Sequence, residues 1–218
     1  GVHAVKAELL KGLIPSSLCL VQRYDRTGDE DGSVKRLHQE DFCQALGLVS
    51  TQKYEAEGGP GISSCLTLVE RFSTEPLIDS RRLIDWHIFN SAIGNADGHA
   101  KNLSLLRTGD GALRLAPFYD LVCTYAYNRI SKNMAMSTRG CEVPGKLTKK
   151  HWNGLADEVG IGERFLRSLV AQMSQNILNE LTPVKRLFID RFGDDPALQM
   201  VIPKIRKLAR AVGRSATI

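Results

Sequence analysis

No stretch of the 218-residue sequence reaches the ~18–20 consecutive apolar residues of a membrane-spanning helix. The first residues also lack the apolar core of a secretory signal, so no membrane partner is expected. Cysteine is sparse: Cys19, Cys43, Cys65, Cys123 and Cys141 are odd in number, widely spaced and without a C-x-x-C pair. That excludes a secreted disulfide scaffold and a zinc knuckle, and fits reduced thiols in the cytoplasm. The histidines show neither H-x-x-x-H nor Cys–His ligand spacing, and His87 reads as a hydrogen-bonded core residue. There is no G-x-S-x-G elbow, no G-x-G-x-x-G loop, no repeat and no low-complexity tract.

What is present is globular. Hydrophobic residues make up 43% and charged residues 24%, enough for one domain or two small ones. The formal charge of +5 is local. Lys204, Arg206, Lys207, Arg210 and Arg214 stand in a C-terminal stretch without acids, and residues 1–199 hold 24 charges of each sign. A basic terminal helix is therefore a candidate for indirect DNA contact, while the rest of the chain is not. Arg81-Arg82 reads as solvated surface.

Periodicity and turn chemistry predict a mostly α chain with small β elements. Residues 1–12 read as a short helix stopped by Gly12, Leu18–Tyr24 as a strand, and 27–33 as a turn-rich loop. A helix is expected over 39–46, and the cluster Gly58-Gly-Pro-Gly61 demands a loop. Helices follow over 62–72 and from Asp79 to about Ile93, the latter apolar on several faces and so buried. Leu103–Leu106 and Leu113–Ala116 flank Thr108-Gly-Asp-Gly111 as a hairpin. Helices over 148–159, 163–180, 182–192 and 197–212 complete the chain, with a kink at Pro203.

The chemistry concentrates in Gly94-Asn-Ala-Asp-Gly-His-Ala-Lys-Asn102 and Ala116-Pro-Phe-Tyr-Asp-Leu121. Asp97 precedes Asn102 by five residues, with His99 and Lys101 between, and the hairpin returns Asp120 toward them. Phosphoryl transfer needs this order: a carboxylate for the acceptor hydroxyl, an amide oxygen for a cation, and a second carboxylate between cation and phosphates. A nearby lysine offsets charge on the transferring group. Protein kinases share the D-x-x-x-x-N spacing and follow it with a hairpin and D-F-G, whereas here Tyr119-Asp120-Leu121 has no glycine.

These segments, with Val21-Gln-Arg-Tyr-Asp-Arg26, His38-Gln-Glu-Asp-Phe-Cys-Gln-Ala-Leu-Gly47 and Lys53-Tyr-Glu-Ala-Glu-Gly-Gly-Pro-Gly61, resemble in order the C-terminal kinase region of HipA-type serine/threonine-protein kinases, the toxins of bacterial toxin–antitoxin pairs. The resemblance covers about Leu20 to Thr124. It implies a protein-kinase-like C-terminal lobe using ATP and Mg²⁺. Asp97 would accept the proton of a substrate serine, with Lys101 beside it. Asn102 and Asp120 would hold magnesium; His99, Ala100, Lys101 and Tyr119 would line the phosphates; Gln22, Arg23 and Tyr24 would form the adenine hinge. The family usually has Glu at the position of Gln22. A HipB-like antitoxin that binds operator DNA, and an aminoacyl-tRNA synthetase as substrate, are the implied partners.

A kinase also needs a glycine-rich loop and a strand lysine before the hinge. Gly58–Gly61 lies after it, and Lys6 is only about fifteen residues upstream, too few for strand, helix and strand. Residues 1–26 are therefore expected to be the remnant of an N-terminal lobe plus hinge, and 27–218 the helical lobe, the rest of the small lobe being missing either from this chain alone or from the protein itself. Gly140-Cys-Glu-Val-Pro-Gly-Lys146 imitates a P-loop, but Leu147 replaces the Ser or Thr that binds magnesium and no apolar strand precedes it. The leading expectation is a serine/threonine kinase. The alternatives are an inactive module that binds an antitoxin or DNA, and a small-molecule kinase on the same scaffold.

Overall fold

The computed structural model describes residues 2–10, 17–28, 31–49 and 51–217. Strands β1 (Ala7–Leu10) and β2 (Leu18–Val21) pair antiparallel, with Ala7 opposite Val21 and Leu10 opposite Leu18. β3 (Arg26–Gly28) and β4 (Val34–Arg36) form a second ribbon. β5 (Gln39–Asp41) runs into the short helix α1 (Phe42–Ala45), followed by α2 (Ile62–Phe72) and α3 (Pro76–Ile93). β6 (Ser104–Arg107) and β7 (Leu113–Leu115) complete an antiparallel sheet in the order β5-β6-β7. Helices α4 (Lys149–Glu158), α5 (Glu163–Phe192) and α6 (Pro196–Ser215) close the chain.

Helix α3 is the axis of the fold. It packs against α2, α5 and α6, which is why apolar residues surround it rather than forming one stripe. Leu83, Trp86 and Ile88 are buried in one core with Phe42, Phe118, Trp152 and Leu166. Full burial of each such side chain contributes roughly 1.5–3 kcal/mol. His87 is a core histidine as expected, its Nε2 2.9 Å from Thr138 Oγ1. Pro76 occupies the first turn of α3, where its missing N–H costs nothing. Gly94 ends the helix at φ 74°, and the loop that carries Asp97 and Asn102 begins there.

Four local expectations are corrected. Residues 7–10 are strand rather than helix, because β2 offers them a complete backbone ladder; Gly12 lies outside the described residues. The helix expected over 39–46 is strand to Asp41, whose carboxylate accepts from Gln44 N at 2.9 Å while Gln44 Oε1 accepts from Asp41 N at 3.0 Å. The loop expected over 27–33 gives Thr27 and Gly28 to β3. Residues 163–192 form one helix through Pro183, since packing of α5 on α6 outweighs the proline penalty of ~3 kcal/mol. Pro203 lies inside α6.

Arg82 is no surface residue: its side chain is 19% exposed. Nη1 donates to Asp79 Oδ1 at 2.8 Å and Leu115 O at 2.7 Å, and Nη2 to Ala116 O at 3.1 Å. Asp79, fully buried, also accepts from Arg114, Ser73 Oγ and Leu115 N. Burial opposes its charge, but the Arg114 and Arg82 guanidiniums and these hydrogen bonds hold its carboxyl below the usual range. The N-terminus of α3 is thereby fastened to the strand that leads to Asp120.

Candidate active site

The loop after α3 has little freedom. Asn95 Nδ2 donates to Asn90 Oδ1 at 2.7 Å and to Asp120 O at 2.8 Å. Ala96 N donates to Thr124 Oγ1 at 2.8 Å, and Ala96 O accepts from Ala135 N at 3.0 Å. Asn95, Ala96, His99 and Ala100 are buried, while the Asp97 side chain emerges from among them 50% exposed.

Asp97 Oδ1 accepts from the Tyr54 hydroxyl at 2.6 Å. His99 Nε2 lies 3.7 Å from the same oxygen and 3.1 Å from Lys53 Nζ. Burial, then the Lys53 ammonium, pushes His99 below the ordinary histidine value, so the ring is neutral near pH 7. An ammonium only donates, so Nε2 accepts and the ring proton sits on Nδ1. The contact between His99 and Asp97 is therefore not an ion pair.

Asn102 and Asp120 meet as the sequence order requires: Asn102 Nδ2 donates to Asp120 Oδ2 at 3.1 Å. Asp120 takes a left-handed backbone, φ 53°, held by the Asn95 bond to its carbonyl. Asn102 Oδ1 and His99 Nδ1 are buried, and by distance and angle neither has a hydrogen-bond partner among the described residues, although the Asn102 side chain lies close enough to the His99 ring to favour its protonated form. A buried, unsatisfied amide oxygen costs ~1–3 kcal/mol unless something hard and positive takes its lone pair. With the Asp120 carboxylate, it suits Mg²⁺, which keeps waters and shares phosphate oxygens. Among the described residues no group of three His, Cys, Asp or Glu side chains could hold a metal alone, so a cation here would need such shared ligands.

Gln22, Arg23 and Tyr24 line a cleft of about 590 Å³ together with Tyr119, Asp120 and Leu121. Tyr24 stacks on Tyr119 at 6.3 Å between ring centres. Tyr119 Oη donates to Lys101 O at 2.8 Å, tying this cleft to the loop, and burial pushes its phenol up to about 12. Arg23 is committed to Asp25 through bonds of 2.8 and 2.6 Å, which, with Arg26, hold the Asp25 carboxyl at about 2. A second cleft of about 470 Å³ is lined by Asp97, Tyr54, Glu57, Ala96, Met134 and Glu142.

The structure thus joins Asp97 to His99, Asn102 to Asp120, and the 22–24 segment to Tyr119 and Asp120. Ala100 packs its methyl into the core, so only its backbone could meet a ligand. Lys101 makes no ion pair among the described residues; the ammonium beside His99 belongs to Lys53. Lys53 and Tyr54 were not singled out from the sequence, although they open the segment ending in Gly58-Gly-Pro-Gly61. That cluster shapes their loop: a Cβ on Gly59 would stand 2.8 Å from Gln52 O and Tyr54 O. Residues 140–146 contain only a short turn over Pro144–Lys146 and no strand-loop-helix unit.

The sequence profile described as the HipA-like C-terminal domain matches residues 1–181. Y4mE of Sinorhizobium fredii, named as a kinase, is 41% identical over 175 residues, 78% of this chain and 41% of that protein. The serine/threonine-protein kinase toxin HipA of Shewanella oneidensis is 29% identical over 205 residues, 89% of this chain and 47% of that one. The chain spans less than half the length of either relative. The solved complex of Shewanella oneidensis HipA with HipB and operator DNA superposes with a TM-score of 0.85 at 23% identity, over 98% of this chain and 52% of that chain. The Helicobacter pylori proinflammatory kinase CtkA superposes with a TM-score of 0.53 at 10% identity, over 99% and 78%. The mostly α architecture with small β elements is the fold of these kinases.

Proposed function

The chain belongs to the HipA-like C-terminal domain family, and from that premise we propose that it is the catalytic lobe of a serine/threonine-protein kinase that transfers the γ-phosphoryl group of ATP to a protein hydroxyl. The observation that carries this is the pairing of Asn102 with Asp120, its amide oxygen buried and without a well-formed hydrogen bond among the described residues, five residues beyond a half-exposed Asp97. Asp97 takes the acceptor's proton as attack on phosphorus proceeds. Asn102 Oδ1 and the Asp120 carboxylate would hold the magnesium ion, which neutralises phosphate charge. Gln22, Arg23 and Tyr24 present the hinge to adenine. His99, the Ala100 backbone, Lys101 and Tyr119 face the phosphates.

In this reading residues 1–26 are hinge and the last part of a small lobe, 27–218 form the large lobe, and transfer needs a glycine-rich loop and strand lysine supplied by a further lobe, in the same protein or in trans. It works in the cytoplasm. The test is ³²P transfer from ATP by the full-length protein: Asp97→Ala abolishes it while the melting temperature stays put. Equal transfer by wild type and variant overturns the assignment.

A second reading is favoured by one observation. Helix α6 carries five basic residues and no acid, and the Shewanella oneidensis relative was solved with HipB and operator DNA. A HipB-like partner with DNA along α6 is compatible with kinase activity, or stands alone if the site is inert.

A further inference from the structure

We infer that Tyr54 is a positioning residue that pins Asp97 through Oδ1 and leaves Oδ2 for the acceptor hydroxyl. This rests on the reading of Asp97 as proton acceptor. The loop backbone around Asp97 is fixed at Ala96 N, Ala96 O and Asp97 N, so the remaining freedom lies in the side-chain torsions of a half-exposed carboxylate. A proton acceptor has to keep an oxygen within ~2.6–3.2 Å of its target. The Tyr54 hydroxyl removes the torsional freedom with a 2.6 Å bond to Oδ1, and among the described residues Oδ2 has no hydrogen-bond partner.

The tyrosine is itself held. Tyr54 O accepts from Glu57 N at 3.0 Å and Gly59 N at 2.8 Å, and Glu55 N donates to Ala135 O at 3.0 Å. The Glu55 carboxylate receives Ser137 N. Its ring lies edge-on to His99 at 5.4 Å and under Lys53 Nζ at 4.7 Å. Burial, then the bond to Asp97, keeps the phenol protonated, and so a donor, throughout the range in which a kinase works. Tyr54 and Asp97 line the same 470 Å³ cleft, which gives the acceptor a route to the free oxygen.

Tyr54→Phe in the full-length protein removes one oxygen and keeps the ring. The expected result is a fall in kcat of roughly tenfold or more, the scale of one charge-assisted hydrogen bond acting in the transition state. KM for ATP and for acceptor stay within about twofold, and Tm is unchanged. Full activity of Tyr54→Phe beside an inactive Asp97→Ala overturns this inference alone. A lowered Tm with both KM values raised also overturns it, showing a loop-holding role. An active Asp97→Ala, or an inert wild type, overturns the kinase reading itself and this inference with it.

Discussion

Single residues in this protein are held in states they would not choose in water. Asn102 keeps an unsatisfied oxygen in the interior, Asp120 adopts a left-handed backbone, and His87 is a neutral imidazole inside the helical core. The first two have a functional rationale at the proposed cation site, where cost to the fold is exchanged for ligand geometry. His87 lies elsewhere, and its effect appears as a dependence of stability on pH. Burial lowers its folded value to about 4, below the ordinary 6.5. Above pH 6.5 both states are neutral and stability is complete. As pH falls from 6.5 toward 4 the unfolded chain takes a proton that the folded chain refuses, at about 1.4 kcal/mol per pH unit and about 3 kcal/mol in all. Urea midpoints at pH 7.5, 6 and 5 should therefore fall more steeply for wild type than for His87→Gln. His3 and His99, also lowered chiefly by burial, leave the variant some slope of the same sign. Identical slopes would show that His87 is protonated in the fold.

At the scale of elements, the helix ends matter more than the helix middles. Gly94 ends α3 in the left-handed region, and a Cβ there would stand 2.5 Å from Leu208 Cδ1 and 2.8 Å from Tyr125 Cγ. Gly94→Ala therefore combines backbone strain with overpacking against α6. The expected loss is about 2 kcal/mol or more, a drop in Tm of roughly 4–8 °C by calorimetry; an unchanged Tm would mean that α6 yields freely. Elements with strong local determinants were readable from the sequence: α2 from its periodicity, α3 from its apolar residues, the β6–β7 hairpin from its Asp-Gly turn. β1 was not, because four residues of mixed propensity become strand only through β2. α5 reads from the sequence as two helices, 163–180 and 182–192, because local patterning cannot weigh the packing of α6. The same limit applied to the site. Asp97, Asn102 and Asp120 share a recognisable spacing, whereas Tyr54 reaches Asp97 from 43 positions away, by a loop path that only the fold defines.

For the whole molecule, the question is whether this lobe already holds enough of a nucleotide site to bind. The proposed hinge residues, Tyr119 and Asp120 line one open cleft within this chain. Millimolar Mg-ATP should raise the Tm of this chain, since a ligand that binds only the folded state stabilises it by mass action, by ~2.7 kcal/mol at a hundredfold excess over Kd. No shift, beside a shift in the full-length protein, would assign the missing affinity to the small lobe. No shift in either would leave the basic face of α6 as the stronger lead.

The N-terminal segment meets the site by a shortcut. Along the chain, the way from Val5 to Asp120 passes through the hinge, α3, the loop and the hairpin. Across space it is one residue deep: Val5 N donates to Phe118 O at 2.9 Å and Phe118 N to His3 O at 3.0 Å. His3 also touches Arg82, which grips Leu115 and Ala116. A load on the segment ahead of β1 is thus delivered two residues from the proposed cation ligand.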